Sequence, residues 1–334
     1  MESYVTAYVE RFKASRPTYL FSLRNGSNTL TNEVTGYSEG HASNGRLYAA
    51  WFRYCRAHRR DRFHLLNCGP VILLTALLAG IREPLYHIHG TRYWTGALDH
   101  VLLRAAWFLT WPFRPLFVAN SRFCAETFHR TAIPVRPIVV YNGFDTAALL
   151  AGRRLRTRLE RMAYVGRIAH GKNADLVIVL FNAVAERFPE LELHIAGTGA
   201  MENDLRDQAL MSPFRRRIHF HGWVPDMAAF YSSMDLVVFP SDHESYGNVL
   251  AEALINGLPV LASDLPAFAE IHGDKATFSL GDPKDRDAVK QRFAVAIERF
   301  PQLAERAFTL SHDLAERSAM STHVEAIARL HDTA

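Results

Sequence analysis

Two glutamates, Glu244 and Glu252, mark the segment of this chain with the clearest chemical meaning. They stand in S-D-H-E-S-Y-G-N-V-L-A-E-A-L-I-N-G, residues 241–257, directly after the apolar run Leu236–Phe239. In a doubly wound sheet, phosphorylated ligands bind where a strand ends and a helix begins. Gly247 and Asn248 near the predicted helix start leave N–H groups that, with the helix dipole, favour an anion. The segment predicts a phosphate site with two carboxylates available for hydroxyl groups.

Two cations follow an earlier predicted strand, Met162–Gly166. Arg167 and Lys172 stand in V-G-R-I-A-H-G-K-N, at the edge of the sheet where open α/β proteins bind ligands. Arginine provides a bidentate fork and lysine a mobile point charge, so the pair could neutralise a diphosphate without a metal. Taken alone, this spacing is also typical of a solvated loop.

Two glycine-containing turns follow the next strands. Gly197 and Gly199 in I-A-G-T-G-A either let the backbone approach a phosphate or base, or form a tight strand-to-helix turn. The turn H-G-W-V offers main-chain hydrogen bonds to a nucleobase from Gly222, Trp223 and Val224, with plain turn packing as the alternative. Both interpretations stay open at each turn.

Short apolar runs alternate with helical patterns along the whole chain, which predicts parallel sheets built from βαβ units. The predicted strands cover residues 18–23, 63–67, 84–89, 116–119, 138–141, 162–166, 192–196, 218–221, 236–239, 259–262 and 276–279. The alternation breaks over the basic stretch R-R-L-R-T-R-L-E-R and restarts at Met162. We expect an N-terminal Rossmann-like domain over 1–148, a C-terminal one over 149–313, and a helix over 314–334 that packs back on the first domain.

These motifs in this order resemble the donor half of family 4 retaining glycosyltransferases, which have the GT-B fold: two Rossmann-like doubly wound domains facing a cleft. The resemblance runs from Met162 to about Glu270. It implies that Glu244 contacts the donor sugar, Glu252 the ribose, and Arg167 and Lys172 the diphosphate. The remaining donor-binding residues it implies are Gly166, Gly197, Gly199, Gly222, Trp223, Val224, Ser245, Tyr246, Gly247, Asn248 and Val249.

The first domain matches this family more loosely. L-Y-H-I-H-G-T resembles the strand whose last histidine lies at the sugar-transfer site, which makes His89 the expected active-site histidine. Two departures stand out. Residues 2–12 already have a helical pattern, so the usual first strand of the domain is expected to be missing. L-P-A-F-A-E, residues 265–270, replaces the G-G-x-P-E loop of the family, which predicts a bulkier loop near the donor.

The function implied by the resemblance is transfer of a hexose from a nucleoside diphosphate sugar, most commonly a UDP-sugar, to a hydroxyl of a glycan or lipid-linked glycan. The anomeric configuration is kept, and neither a metal nor another cofactor takes part. A nucleotide-sugar-binding subunit without catalysis, and an epimerase or hydrolase on the same fold, stay open as alternatives. Asp285-Arg286-Asp287 spells the D-x-D of metal-dependent transferases, but its position favours helix capping. The H-x-H pairs at 87–89 and 219–221 lack further convergent ligands for a metal.

Composition and charge narrow the environment. Net charge is +4, and the three cysteines are widely spaced without a C-x-x-C pair, which fits a reducing cytoplasm. The N-terminus lacks a signal-peptide pattern, and no apolar run reaches the roughly 20 residues of a membrane helix. Arginines 53–62 and nearby aromatics predict either a solvated helix end beside core aromatics or contact with the anionic inner face of a membrane. Nucleic acid is not expected as a partner.

Overall fold

The computed structural model describes residues 2–13, 17–22, 36–39, 44–66, 68–90, 97–109, 114–273 and 277–333. These residues form two compact units. Unit 1 consists of residues 1–143 together with 320–334, and unit 2 consists of residues 144–319. Among the described residues, no helix is both long and apolar enough to cross a membrane.

Unit 2 alternates strands and helices throughout its length. Its strands are β7 (Arg161–Val165), β8 (Glu192–Ala196), β9 (Ile218–Gly222), β10 (Leu236–Phe239), β11 (Val260–Ser263) and β12 (Thr277–Gly281). Its helices are α6 (Thr146–Ala151), α7 (Ala174–Val184), α8 (Glu202–Leu210), α9 (Met227–Ser233), α10 (Asn248–Ile255), α11 (Pro266–His272), α12 (Arg286–Glu298) and α13 (Phe300–Arg317).

The six strands of unit 2 form one parallel sheet in the order β12-β11-β10-β7-β8-β9. The chain runs from β7 outward to one edge, returns to β10 beside β7, and then runs outward to the other edge. This is the doubly wound order of a Rossmann fold. Alternate apolar side chains of β7, β8 and β10 pack with α7 on one face of the sheet. The residues between them are buried as well, as expected for strands that read as near-continuous hydrophobic runs.

Unit 1 is smaller and has two separate parallel sheets among its described residues. Its helices are α1 (Glu2–Lys13), α2 (Asn44–Ala57), α3 (Pro70–Leu78), α4 (Ala97–Leu109), α5 (Arg122–Thr131) and α14 (Met320–Thr333). Strands β3 (His64–Leu66), β4 (Leu85–Ile88), β5 (Leu116–Ala119) and β6 (Ile138–Val139) form a four-stranded sheet in that order. Strands β1 (Tyr19–Ser22) and β2 (Gly36–Glu39) pair only with each other in the described chain.

The C-terminal helix α14 packs against α1 within unit 1. Its close approach explains Gly143, because a Cβ there would lie 2.7 Å from the Cβ of His323. The helical pattern of residues 314–330 is divided at Ser318, where α13 ends, so the part before the break belongs to unit 2 and the part after it to unit 1.

Each strand predicted from the sequence is present within two residues of its predicted ends. One strand, β2, was missed because its short polar sequence G-Y-S-E lacks an apolar pattern. In the described N-terminal residues α1 precedes β1, as expected, and β1 and β2 are not hydrogen-bonded to the four-stranded sheet. The D-x-D segment is a helix cap as predicted, since the side chain of Asp285 accepts a hydrogen bond from the N–H of Ala288 at 3.1 Å.

Candidate functional site

The point where the strand order of unit 2 reverses lies between β7 and β10. These strands are direct neighbours, with Met162 paired to Leu236 and Ala163 to Val237. In open α/β sheets, ligands bind beyond the carboxyl ends of the strands at this switch point. The loop that carries Arg167 and Lys172 follows β7, and the loop that carries Glu244 follows β10. The residues predicted to bind the diphosphate and the sugar therefore lie on the two loops of the switch point.

Hydrogen bonds join these two loops directly. Asp242 donates its backbone N–H to the carbonyl of Gly171 at 2.9 Å. The side-chain amide of Asn173 donates to the carbonyl of Pro240 at 2.8 Å and to the carboxylate of Asp242 at 2.6 Å. Asn173 holds a left-handed conformation, with φ 54°, which asparagine tolerates better than most residues. The junction sets the position of Lys172 relative to Glu244.

Lys172 and Glu244 form an ion pair at this junction through Nζ and Oε1. Their side chains are only 16% and 17% exposed. A half-buried ammonium beside a carboxylate can exchange that partner for a phosphate oxygen, while the carboxylate turns to hydroxyl groups. Arg167 is exposed on the same loop, and its backbone carbonyl accepts a hydrogen bond from Tyr164. Both predicted diphosphate-binding cations thus follow β7.

The N-terminus of α10 lies in the second switch-point loop. Gly247 is its N-cap, has φ 107° and provides no side-chain cap, so the first-turn N–H groups can serve an anion. A Cβ at Gly247 would lie 2.6 Å from the ring of Phe268, so this position needs glycine for both conformation and space. Phe268 comes from the L-P-A-F-A-E loop and is buried, stacked against Phe239 at 5.5 Å. The bulkier loop thus supports the helix start.

The same loop lines a cavity of about 700 Å³ beyond the ends of β11 and β12. Asp264, Pro266 and Phe268 contribute to one wall, and Arg292 and Arg306 to another. Arg292 and Asp264 approach to 3.8 Å. The cavity gives open space, with two cations, beside the loop that carries Phe268.

The side chain of Glu252 on α10 contacts Tyr231 of α9. Tyr231 donates its hydroxyl to Oε2 of Glu252 at 2.9 Å. Burial raises the pKa of Glu252 to about 7, although the hydrogen bond from Tyr231 opposes the shift. A carboxylate that titrates near neutral pH and keeps one oxygen engaged by a phenol has its other oxygen available for a ligand hydroxyl.

Arg156 holds the other end of α10. Its guanidinium is fully buried and donates to the carbonyl of Asn256 at 2.8 Å, and to the carbonyls of Tyr231 and Met234 at 3.2 Å and 3.3 Å. Burial lowers the pKa of Arg156 to about 10, so it stays charged at neutral pH. A cation at the C-terminus of a helix stabilises its terminal carbonyls. The basic stretch taken for an interdomain break contains this interaction.

The two glycines after β8 have a packing role. A Cβ at Gly197 would lie 1.9 Å from the carbonyl oxygen of Gly166, and a Cβ at Gly199 would lie 2.1 Å from that of Ile168. The loops after β7 and β8 therefore touch backbone to backbone, with Gly166 and Ile168 donating to the carbonyls of Ala196 and Thr198. Their closeness keeps the loop that carries Arg167 against the sheet.

The remaining predicted residues lie on the loops around this point. The backbone carbonyl of Gly222 accepts a hydrogen bond from the N–H of Gly197 at 2.7 Å. Trp223 is 81% exposed. Tyr246 is buried and stacks on Phe144 at 6.3 Å. The half-buried members of the set are Val224, Ser245 and Val249, whereas Asn248 is exposed.

His89 belongs to a buried cluster of five histidines in unit 1. The cluster consists of His64, His87, His89, His323 and His331. The ring of His89 lies 4.1 Å from that of His87, centroid to centroid. Burial, together with nearby His323, lowers the pKa of His89 to about 4, so its imidazole is neutral at pH 7. His323 donates from Nδ1 to the carbonyl of Tyr141 at 2.6 Å and accepts the hydroxyl of Tyr8, which ties α1 and α14 to the cluster.

Several residues of the site were not found from the sequence. Asn173 and Asp242 join the loops, Tyr231 orients Glu252, and Arg156 holds α10. The side chains of these residues meet partners distant in sequence, so no local pattern marks them. Only Asn173 carried a local signal, since asparagine is common at helix N-caps and tolerates the left-handed backbone conformation.

Comparison with known families decides the class of unit 2. Residues 151–307 match the family model described as glycosyl transferases group 1. The expected resemblance is thereby confirmed at the level of the group, and the further assignment to family 4 depends on the motifs.

Relatives and solved structures agree with the glycosyltransferase domain. The chain is 32% identical over 135 residues to glycogen synthase of Mycobacterium tuberculosis, covering 40% of this chain and 33% of that protein. It is 27% identical over 175 residues to the lipopolysaccharide core mannosyltransferase LpsB of Rhizobium meliloti, covering half of each. Anabaena HepE, solved with UDP, superposes with TM-score 0.79 at 18% identity, covering 100% of this chain and 96% of that one. The GT-B fold expected from the sequence is confirmed.

The matched segment spans about a third to a half of the length of these two curated relatives. Residues 151–307, which the family model matches, contain the switch-point loops, α9, α10 and the loop with Phe268, and they include no residue of unit 1. The glycosyltransferase signature is therefore a property of the domain that holds Lys172, Glu244 and Glu252.

The raised pKa of Glu252 predicts how stability depends on pH. The neutral form is favoured in the folded protein, so its contribution is complete below the ordinary pKa of 4.5 and is lost as pH rises through about 7. We expect wild type to lose roughly 3 kcal/mol relative to Glu252→Gln between about pH 4 and pH 8. Denaturant unfolding of both proteins across this range measures the difference.

A matched control is Glu298→Gln, since Glu298 is exposed and paired with Arg187 at 2.8 Å. It makes the same replacement at an exposed position, so a change common to both variants is not due to the burial of Glu252. A Glu252→Gln curve parallel to that of wild type would show that Glu252 ionises normally.

Proposed function

We propose that this protein is a retaining glycosyltransferase that moves a hexose from a UDP-sugar to a hydroxyl acceptor without a metal at the donor site. The observation that carries the proposal is the ion pair of Lys172 with Glu244, held at the switch point beside the uncapped N-terminus of α10. A nucleoside diphosphate sugar has a diphosphate for the cation and the helix, and sugar hydroxyls for the carboxylate. HepE, which has the same fold, was solved with UDP and with UDP-glucose.

The proposed mechanism uses these groups in the order in which charge develops. As the bond between the sugar and the β-phosphate breaks, negative charge grows on the diphosphate, which Arg167, Lys172 and the α10 N–H groups stabilise. The leaving phosphate oxygen takes the proton of the acceptor hydroxyl on the same face of the sugar. Glu244 binds the sugar hydroxyls and Glu252 binds those of the ribose. No carboxylate has to act as the nucleophile.

The roles of Lys172 and Glu244 can be separated by comparing UMP, UDP and UDP-glucose as ligands. Lys172→Ala should weaken UDP roughly 10- to 100-fold, since a hydrogen bond to a charged group contributes about 1.5–3 kcal/mol. It should affect UMP much less. Glu244→Ala should weaken UDP-glucose but leave UDP unchanged or tighter, because Lys172 is then released to the diphosphate. Isothermal titration calorimetry with the three ligands measures these changes.

Lys290→Ala is the matched control, because it removes a lysine from an exposed pair with Asp287 at 3.1 Å. Its affinities should equal those of wild type. ADP and GDP in place of UDP test the base. If Lys172→Ala and Glu244→Ala change none of the three affinities, the donor site lies elsewhere.

We further propose that His89 acts at the transferring sugar as a neutral hydrogen-bonding group. Its pKa of about 4 supports this, since a neutral imidazole can both donate and accept a hydrogen bond at pH 7. His89→Ala should lower glucose release from UDP-glucose, with water as acceptor, by roughly 10-fold or more while UDP affinity stays unchanged. His331→Ala removes another ring of the same cluster as the control. Equal loss in both variants would assign His89 a packing role only.

We propose that the acceptor is presented at an anionic membrane surface. Helix α4 exposes Leu98, Val101 and Phe108 along one face, at 69%, 61% and 69%. α3 contacts both α4 and α2. Exposed Arg56 lies in the last turn of α2, and exposed Arg59 and Arg60 lie in the turn that follows it. The aromatics expected near these arginines differ in exposure: Phe52 and Phe108 are exposed and Trp51 is buried, while Trp94, Trp111 and Phe113 lie outside the described residues. Phe108 joins this surface through the apolar face of α4.

Vesicle sedimentation tests this surface. Val101→Ser with Phe108→Ser, and separately the replacement of the three arginines by Gln, should each reduce binding to vesicles of phosphatidylglycerol in phosphatidylcholine. Leu210→Ser with Met211→Ser is the control, since these apolar residues are equally exposed in unit 2. If the wild-type protein does not sediment with anionic vesicles, the membrane proposal is wrong. That result would not bear on the proposed donor site.

A further inference from the structure

Glutamate and histidine side chains converge on one face of β8 and β9, which we call the β8–β9 cluster: Glu192, His194 and His219. Glu192 and His194 are two residues apart on β8 and therefore point to the same face. The register pairs His194 with His219 on β9, which brings their side chains together across the strands. One ligand atom from each of the three residues lies within 4.8 Å of the others.

The distances within this cluster are long for hydrogen bonds and match the separation of two ligands on one metal ion. Nε2 of His194 lies 3.4 Å from Oε2 of Glu192, and Nε2 of His219 lies 3.5 Å from Oε1. Both nitrogens are buried and have no hydrogen-bond partner among the described residues. Two ligand atoms of a tetrahedral zinc ion, with bonds of about 2.0–2.1 Å, are separated by about 3.4 Å.

A fourth side chain supports one of these ligands from behind. Nδ1 of His194 lies 3.0 Å from Nε2 of His221, in hydrogen-bond range, which leaves Nε2 of His194 facing the carboxylate. Histidines that bind metals usually engage their second nitrogen in this way, which fixes the ring and its tautomer. The ring of His221 is held in turn by Phe230 of α9, at 5.3 Å.

The setting of the cluster also suits a metal with one open position. The side chains of Glu192 and His219 are each 39% exposed, so the cluster lies at the surface, although the two Nε2 atoms themselves are buried. Arg161, paired with Glu192 in the register of β7 and β8, is the neighbouring cation, and its guanidinium donates toward the carbonyl of Ser233 at 3.5 Å. One carboxylate and two imidazoles with a water are a donor set that zinc accepts.

We propose that the β8–β9 cluster is a zinc site, with Glu192, His194 and His219 as ligands and His221 as the residue that positions His194. This departs from the expectation that the chain holds no metal. Glu192 is the first residue of β8 and His194 its middle residue, whereas the donor loops follow the carboxyl ends of the strands. Because β9 is an edge strand, a metal shared with β8 would staple the edge of the sheet.

Zinc titration of the untagged full chain tests the site, with a chromophoric chelator as competitor. Wild type should bind one equivalent that His219→Ala and Glu192→Gln each lose. His221→Ala should keep the equivalent but bind it roughly 10- to 100-fold more weakly, as expected for a positioning residue. Zinc should raise the thermal midpoint of wild type and of the His221 variant, and not that of the ligand variants.

The control variant is His312→Ala, which removes a histidine that lies 3.6 Å from Glu316 on the exposed side of α13 without a second histidine ligand. It should bind zinc like wild type. His219 is partly exposed, so its replacement should leave the fold intact. Circular dichroism of the metal-free variants checks that they fold. Loss of the equivalent in His312→Ala, or its retention in both His219→Ala and Glu192→Gln, would overturn the proposal; so would the absence of zinc binding by wild type.

Discussion

The junction between the loops after β7 and β10 is the constraint on which the donor site depends. These loops are far apart in sequence and meet only because the doubly wound order makes β7 and β10 neighbours. Asn173 and Asp242 then tie the loops together through backbone and side-chain hydrogen bonds. Lys172 lies one residue before Asn173, and Glu244 lies two residues after Asp242. Their ion pair is therefore a consequence of the junction.

Helix α10 is held in place at both ends. At its start, Gly247 allows Phe268 to pack where any side chain would clash, so the N–H groups stay free of a side-chain cap. At its end, the buried guanidinium of Arg156 satisfies carbonyls from α9, α10 and the segment that follows α9. An unsatisfied buried carbonyl is costly, so Arg156 also secures the position of Tyr231 and through it of Glu252.

Histidine appears in two clusters with different geometry. In unit 1, aromatic stacking and hydrogen bonds to Tyr8 and to the carbonyl of Tyr141 account for the cluster, and burial keeps His89 neutral. In unit 2, a carboxylate completes the group, and the nitrogen atoms face it at distances longer than hydrogen bonds. Both clusters contain an H-x-H pair, so the pattern alone does not distinguish packing from metal binding. The neighbouring strand makes the difference.

The sequence alone determined the βαβ alternation, the described strands other than β2, the capping role of Asp285 and the residues of the donor motifs, because these depend on local periodicity and on side-chain chemistry at short spacing. Only the tertiary structure decided that Gly197 and Gly199 serve backbone contact between loops, that Arg156 within the arginine stretch is a buried anchor, and that Glu192 and His194 join His219. Each of these facts depends on which strands and helices become neighbours. That choice is made by burial and hydrogen bonding over the whole sheet, and no local pattern of residues encodes it.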